Sequence, residues 1–290
     1  MVRKPVAAGM FYEDNKKKLD EQIIRCFKNQ KFGPGDMPVT GRNKRLTGII
    51  APHAGYKFSG AGQAWCYKAV GESEFADIYI ILGTSHAGFS DAATLLEDFE
   101  TPFGEVKVDE KFAKSLIDKG AVKEDKMAHQ QEHSIEVQLP FLQFTEKKKI
   151  EDIKIVPVVV GKEADYKRLG KAIADTAKQM EKKVILICSS DFTHHGIHYG
   201  YVPFRRNVEK KLEEFDKSFI KWIEEMDSWS FLNNVEETGA TICGRYAIAA
   251  FIEACRALGA SKVRVEQYYT SGDVTGDWSN AVGYASIIVE

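Results

Sequence analysis

The sequence predicts an α/β fold of three layers, in which a central β-sheet is flanked by helices. Short β-branched segments alternate with longer segments of helical periodicity along most of the 290 residues. Several strand segments are apolar almost throughout, which is typical of strands covered on both faces. No internal repeat or low-complexity tract interrupts the alternation, so we predict a single domain over residues 1–290.

The predicted strands are short β-branched runs that end at small or polar residues. They are Thr47–Ala51, Asp77–Leu82, Ile153–Val160, Lys183–Ser189, Val263–Tyr269 and Ala281–Val289. A short meander is expected at Thr94–Val108, where Pro102 and Gly104 mark a turn. The predicted helices lie between these segments, at Asn15–Asn29, Ala61–Val70, Asp109–Lys119, Ser134–Thr145, Asp165–Met180, Arg206–Glu225 and Cys243–Leu258.

Composition limits the classes of function. Hydrophobic residues make up 44% and charged residues 28%, which are ordinary values for a globular protein. A net charge of −2 offers no electrostatic basis for nucleic-acid binding. No apolar run reaches the roughly 18 residues of a membrane helix, and the N-terminus lacks the apolar core of a signal peptide. The five cysteines form no C-x-x-C pair, so we expect a reduced, cytoplasmic protein. The charge and the lack of long apolar runs predict that it has neither nucleic-acid nor membrane partners.

Histidines follow three of the predicted strands directly. His53 lies in IIAPHAGY, His86 in IILGTSH, and His194, His195 and His198 in ILICSSDFTHHGIH. Ligands of open α/β sheets bind at the carboxyl ends of strands, and packing does not require a histidine at each of them. Three independent occurrences therefore indicate a shared functional site rather than three buried structural histidines.

Cys243 adds a soft ligand to this set. It lies in GATICGRYAIAA, at the predicted start of a helix, where the helix N-terminus stabilises a thiolate. The thiolate is both the metal-binding and the nucleophilic form. A free cysteine often simply packs in the core, and we interpret Cys188 and Cys255 in that way because their surroundings are apolar.

Asp191 lies close to His194 in the segment SSDFTHHG. A carboxylate can orient an imidazole or raise its basicity, which would give Asp191 a functional role. The alternative is a loop aspartate that caps its own backbone.

A further cluster, His129–Gln130–Gln131–Glu132–His133, matches the H-x-x-E-H pattern of one class of metallopeptidase. Two histidines four residues apart share a face of a helix and could bind one zinc ion. The next helix is predicted to begin near His133–Ser134, which leaves His129 in the preceding loop. We therefore keep a peptidase only as a weak alternative.

These motifs together resemble the Memo family, whose relatives are the class III extradiol ring-cleaving dioxygenases. The resemblance covers essentially the whole chain, because its motifs occur in the same order from near the first residue to near the last. The matching stretches are Ala7–Tyr12, Ala51–Tyr56, Leu82–His86, Thr101–Gly104, Glu132–Phe141, Pro157–Gly161, Ser189–His194 and Thr241–Arg245.

The resemblance implies a central mixed β-sheet and a pocket with two groups of residues. These are the metal ligands His53, His86 and Cys243, and the catalytic residues His133, Asp191 and His194. Two histidines and a carboxylate hold Fe(II) in the dioxygenase relatives, whereas the third ligand implied here is a thiolate. Thiolate is a softer ligand that favours copper(I), zinc or a different iron chemistry, so we expect iron or copper, with zinc possible.

Three functions follow as hypotheses. The first is a metal-dependent, dioxygenase-like oxidoreductase. The second is a non-catalytic adaptor that keeps the ancestral pocket for a small-molecule or peptide ligand, since Memo proteins are associated with signalling and motility in animals. The third is a metal-free hydrolase or transferase with Cys243 as its nucleophile. The sequence identifies neither the substrate nor the oligomeric state.

Overall fold

The computed structural model describes residues 2–41 and 44–290, which form a central sheet and its covering helices. The strands are β1 (Val2–Arg3), β2 (Gly48–Ala51), β3 (Ile78–Thr84), β4 (Ala92–Thr94), β5 (Asp98–Thr101), β6 (Gly104–Val108), β7 (Lys123–Glu124), β8 (Lys154–Val160), β9 (Val184–Ser189), β10 (His194–Gly196), β11 (Val263–Thr270) and β12 (Asn280–Val289). The helices are α1 (Lys16–Phe27), α2 (Tyr56–Glu72), α3 (Glu110–Asp118), α4 (Lys126–Gln130), α5 (Leu139–Thr145), α6 (Tyr166–Gln179), α7 (Val208–Glu224), α8 (Ser228–Thr238), α9 (Arg245–Ala257) and α10 (Ser271–Thr275).

The sheet is mixed. Its strand order is β1-β5-β6-β8-β3-β9-β2-β12-β10, with β11 paired to β12 and β4 paired to β8. The strands β8, β3, β9 and β2 are parallel neighbours, whereas β12 runs antiparallel to β2, β10 and β11. Because β3, β9 and β2 are adjacent and parallel, the chain leaves all three at the same edge of the sheet.

Two apolar cores cover the faces of the sheet, which confirms the predicted three layers. Alternate residues of β3 enter opposite cores: Ile78, Ile80 and Leu82 face one, and Tyr79 and Ile81 face the other. The first core includes buried side chains from α3, α6, α8 and α9, and the second includes side chains from α1, α2 and α5. This arrangement explains why the predicted strands are apolar almost throughout.

Helix α2 begins at Tyr56, five residues before the predicted start at Ala61. Its first turns contain Gly60 and Gly62, and glycine weakens a helical pattern in the sequence. A Cβ atom at Gly60 would lie 2.6 Å from the Sγ of Cys26 on α1. The glycine is therefore needed for close packing of the two helices, which a pattern within one segment does not reveal.

Other differences lie at segment ends and in polar helices. The predicted helix Ser134–Thr145 is divided into a 3-10 turn, Glu136–Gln138, and α5, where Pro140 occupies the first turn. The helix predicted from Cys243 begins at Arg245. Helix α8 was not predicted because SWSFLNNVEET contains weak helix formers, but Asp227 caps its first turn. Helices α4 and α10 and strand β10 were also not predicted.

Two further expectations concern the cysteines and the membrane. All five cysteines are free thiols, and four of them are buried. Within residues 2–41 and 44–290, none of the helices has the length and apolar character needed to span a bilayer.

Candidate metal centre

A cavity of about 540 Å³ opens at the carboxyl edge of β2, β9 and β3. It is lined by residues that follow each of these strands: His53 after β2, His86 after β3, and Asp191 and His194 after β9. Adjacent parallel strands place their following loops side by side, which is why ligands bind at this edge in open α/β sheets. The structure thus brings together four of the predicted site residues.

The ring of His53 is held in one tautomer by the hydroxyl group of Ser189. His53 is buried, and its Nδ1 lies 3.0 Å from Ser189 Oγ. That hydroxyl donates its single proton to the carbonyl oxygen of Ser134 at 2.6 Å and accepts a hydrogen bond from Gln138 Nε2 at 2.8 Å. His53 Nδ1 must therefore be the donor to Ser189. The lone pair on His53 Nε2 is then available near Cys243 Sγ, 3.2 Å away.

His86 is oriented by the carboxylate of Glu132. The backbone N–H of His86 donates to Oε2 at 2.7 Å, and its Nδ1 lies 2.9 Å from Oε1. Burial opposes ionisation of Glu132, but the interaction with His86 lowers the pKa of Glu132 to about 2. Burial likewise opposes the charge of His86, whereas hydrogen bonds to Cys243 and Glu132 raise the pKa of His86 to about 10. The carboxylate accepts from Nδ1, which leaves Nε2 as the nitrogen that faces Cys243. The raised pKa places a proton on Nε2, and a bound metal would have to displace it.

Cys243 lies two residues before α9, between the two imidazoles. The backbone N–H of Asp191 donates to its Sγ at 3.2 Å. Burial raises the pKa of the Cys243 thiol, but His53 and His86 outweigh that effect and lower it to about 6. The next residue, Gly244, allows a close approach, because a Cβ atom there would lie 2.5 Å from Ser190 Cβ. The fold thus positions a thiolate beside two imidazole nitrogens.

His133 joins this group from the other side. The ligand atoms of His53, His86 and His133 all lie within 4.8 Å of one another, within reach of one ion. Its ring stacks on His86 and packs against Phe11, each with a centroid distance of 4.4 Å. Burial and the neighbouring imidazoles lower the pKa of His133 to about 3, which keeps it neutral. The geometry therefore offers two candidates, His133 and Cys243, for the third ligand.

Asp191 is buried and contacts the backbone rather than an imidazole. Its Oδ1 accepts the N–H groups of His53 at 2.8 Å and Ala54 at 3.3 Å. Burial raises the pKa of the Asp191 carboxyl group. The sequence predicts that Asp191 orients a histidine. In the structure Glu132 orients a histidine, His86, whereas Asp191 fixes the loop that carries His53.

His194 lines the cavity with its ring orientation fixed by carbonyl groups. Its Nδ1 lies 2.9 Å from the carbonyl oxygens of both Phe192 and Thr241, which can only accept. Nδ1 therefore carries the proton, and Nε2 can accept one. The neighbouring His195 points away, is buried and stacks on Phe204, because adjacent residues of a strand face opposite sides.

The H-x-x-E-H cluster does not form a peptidase zinc site. His129 lies in α4 rather than in the predicted loop, and its Nε2 lies 3.0 Å from the carbonyl oxygen of Ala93. Burial lowers the pKa of His129 to about 4. The His129 ring is thus engaged by the backbone of β4 and does not belong to the group formed by His53, His86 and His133. The members of the cluster that contact His86 are His133 and Glu132.

Sequence reasoning missed Glu132 and Ser189 as the hydrogen-bond partners of His86 and His53. In the sequence, Glu132 belongs to the peptidase-like pattern, and Ser189 is the last residue of a predicted strand. The one available signal was that both residues lie in stretches that resemble the Memo family. Their roles depend on contacts across 46 and 136 positions of the chain, respectively.

Comparisons with known proteins agree along the whole chain. The model of a family described as Memo-like protein matches residues 3–288. MEMO1 family proteins of Methanopyrus kandleri and Nitrosopumilus maritimus are 38% and 39% identical over 294 residues, which cover 99% of each chain. That of Methanocaldococcus jannaschii is 39% identical over 298 residues, covering 100% of this chain and 99% of the relative. An uncharacterized protein of Escherichia coli K12 shares the fold, with a TM-score of 0.54 and 10% identity over 84% of this chain and 100% of its own.

Proposed function

The chain belongs to the Memo-like protein family, and we propose that its cavity binds a redox-active metal ion, iron or copper, through His53, His86 and Cys243. One observation carries this proposal. Two imidazoles whose Nδ1 atoms are already engaged by Ser189 and Glu132 converge on a thiol with a lowered pKa. Such partners are the usual means by which proteins orient histidine ligands.

The donor set fits a transition metal. Imidazole suits iron, copper and zinc, and thiolate adds affinity for copper(I), zinc and iron. Zinc is thus a further candidate. His133 could add a fourth nitrogen, because its ligand atom lies within 4.8 Å of those of His53 and His86. We assign the third position to Cys243 because its Sγ lies 3.2 Å from His53 Nε2, and because no hydrogen bond within 3.5 Å orients the His133 ring among the described residues.

The reaction that we propose is an oxidoreductase step on a small molecule bound beside the metal. A bound iron or copper ion would supply redox chemistry there. The chain itself supplies a proton acceptor, His194 Nε2, whose ring the carbonyls of Phe192 and Thr241 hold toward the cavity. Asp191 holds the loop of His53, and Phe11 covers one face of His133.

Elemental analysis of protein purified without oxygen tests the metal site. We expect near-stoichiometric iron or copper in the wild type, and strong loss in His53→Ala and Cys243→Ala. His133→Gln should retain more metal than Cys243→Ala. Full occupancy in both His53→Ala and Cys243→Ala would exclude the proposed ligands. Oxygen consumption that His194→Ala abolishes while metal stays bound would support catalysis over an adaptor role.

The contact between Cys243 and His53 supports a second candidate, a metal-free cysteine enzyme. Imidazole next to a thiol with a lowered pKa is the arrangement of activated cysteine nucleophiles. Rapid labelling of Cys243 by iodoacetamide at neutral pH, unaffected by iron, copper or zinc, would favour it. Protection by one of these metals would favour the metal site.

The five free thiols support a further part of our proposal, that the protein works in a reducing, cytoplasmic environment.

A further inference from the structure

The charges around the cavity are distributed unevenly. Among the described residues that line it, none is lysine or arginine. Apart from histidines, its charged side chains are the carboxyl groups of Asp191 at the inner end and Asp277 on the loop between α10 and β12. His86, whose pKa is raised, is cationic but lies at the inner end beside Cys243. At the outer end a ligand carboxylate would therefore meet no cationic side chain of the lining.

The walls between these ends are largely aromatic. Phe11, Phe58, Tyr199 and Tyr284 line the cavity, and Met10 adds an exposed apolar side chain. A cavity of about 540 Å³ with such walls suits a compact molecule with an apolar or aromatic body. The faces of aromatic rings attract cations and not anions, although Lys57 Nζ already lies 5.5 Å from the centroid of the Phe58 ring.

Asp277 is held in place by the turn that follows it. Its Oδ1 accepts hydrogen bonds from the backbone N–H of Ser279 at 2.8 Å and from the Ser279 hydroxyl at 2.6 Å. These bonds lower the pKa of Asp277, so it is ionised at neutral pH. In the described part of the chain, no hydrogen-bond donor or cation pairs with its Oδ2. The carboxylate is therefore oriented but has an acceptor atom to spare.

We infer that the cavity selects a small molecule with an apolar or aromatic body and a cationic amine at its outer end, and that Asp277 contacts this amine. The part of this inference that concerns the inner end of the cavity rests on the proposed function, because ligand atoms there would contact the metal. The part that concerns the outer end does not, because Asp277, Phe58 and Tyr199 line the cavity in a structure that holds no metal. Asp277 is on this basis a specificity-determining residue.

Three matched probes test the inference. They are benzohydroxamic acids with an aminomethyl, a methyl or a carboxylate group at the para position, so that they share a metal-chelating end and differ in outer charge. Affinities would be measured from the ¹³C-methyl NMR signal of Met10, which lines the cavity, with Met127 on α4 as an internal reference outside it. Because Asp277 is exposed, we expect affinity to fall only about threefold to fivefold at each step from cation to neutral to anion, as for a surface ion pair.

Asp277→Asn is the decisive variant, since the amide oxygen can keep both bonds to Ser279. It should remove the preference for the cationic over the neutral probe. Asp118→Asn, an exposed carboxylate at the end of α3, makes the same charge change elsewhere and should leave the order intact. A wild type that binds the carboxylate probe as tightly as the aminomethyl probe overturns the inference. A preference that Asp277→Asn leaves unchanged also overturns it.

Repeating the series on metal-free protein separates this inference from the proposed function. Affinities should all fall without metal, whereas the order of the probes should persist. If metal does not tighten binding of any probe, the proposed metal site is wrong, and the order in either form still decides the role of Asp277. If none of the probes shifts Met10 in either form, the selective cavity is refuted.

Discussion

Glu132 accepts two hydrogen bonds from His86, one from the backbone N–H at 2.7 Å and one from Nδ1 at 2.9 Å. This bidentate contact fixes both the loop and the ring of a proposed metal ligand. Its carboxylate also accepts the N–H of Ser134 at 2.8 Å. The chain segment that carries His133 is thereby tied to the segment that carries His86.

Replacing Glu132 with glutamine should weaken metal binding without removing a ligand. The amide oxygen can accept only one of the two bonds from His86, and the amide nitrogen opposes the other donor. We expect a fall of roughly 10–100-fold in metal affinity, as is typical when the partner of a histidine ligand is lost. Competition with a chelator measures it. Glu110→Gln, an exposed change on α3, is the control, and equal affinities in the two variants would contradict the role of Glu132.

Ser189→Ala should reduce both stability and metal affinity. It removes the hydroxyl that accepts from His53 Nδ1 and donates to the carbonyl oxygen of Ser134, and both of those groups are then left without their partner. Leaving buried polar groups unpaired costs about 1–3 kcal/mol of unfolding free energy. Denaturant titration would show this loss, whereas Ser218→Ala on the exposed face of α7 should change stability little. A fully stable Ser189→Ala variant that keeps its metal affinity would disprove the assigned tautomer.

Arg3, near the N-terminus, forms a buried ion pair with Glu136, so replacing Arg3 should lower the free energy of unfolding strongly. The Nη1–Oε2 distance is 2.5 Å, and the two side chains are 5% and 0% exposed. Arg3→Met leaves the Glu136 carboxylate buried without its cation, which should cost about 3–5 kcal/mol. The double variant Arg3→Met, Glu136→Gln should recover part of this loss. Additive losses in the double-mutant cycle would show that the pair does not interact.

Asp216 predicts a pH dependence of stability. It is fully buried, with Oδ2 2.8 Å from the hydroxyl oxygen of Tyr268, and burial raises the pKa of Asp216 to about 6. An unfolded aspartate has a pKa near 3.9. Between about pH 4 and pH 6 the folded state thus binds more protons than the unfolded state, so this group lowers stability as pH rises through that range.

Asp216→Asn should remove this contribution. Relative to the wild type, the unfolding free energy of the variant should rise by up to about 3 kcal/mol between pH 4 and pH 6.5, and then stay level. Urea titrations at a series of pH values give the difference directly. The exposed change Asp118→Asn should show no such step. A constant difference between Asp216→Asn and the wild type across this range would show that Asp216 does not titrate there.

The outline of the fold was predictable because strands covered on both faces leave a continuous apolar signal. The six main predicted strands all occur, with ends shifted by one or two residues. Elements whose formation depends on a neighbour were not predictable. The start of α2 depends on the packing of Gly60 against Cys26, and α8 depends on a cap at Asp227 rather than on strong helix formers.

The sequence by itself determined the family and the α/β class. It also determined that His53, His86 and His194 converge, because the residues that follow adjacent parallel strands lie at the same edge of the sheet. Only the tertiary structure decided which nitrogen of each ring is available and which carboxylate orients a histidine. Those features depend on contacts between distant segments, Ser189 with His53 and Glu132 with His86. A hydrogen bond depends on the position and direction of single atoms, and the order of residues along a chain fixes neither until the chain is folded.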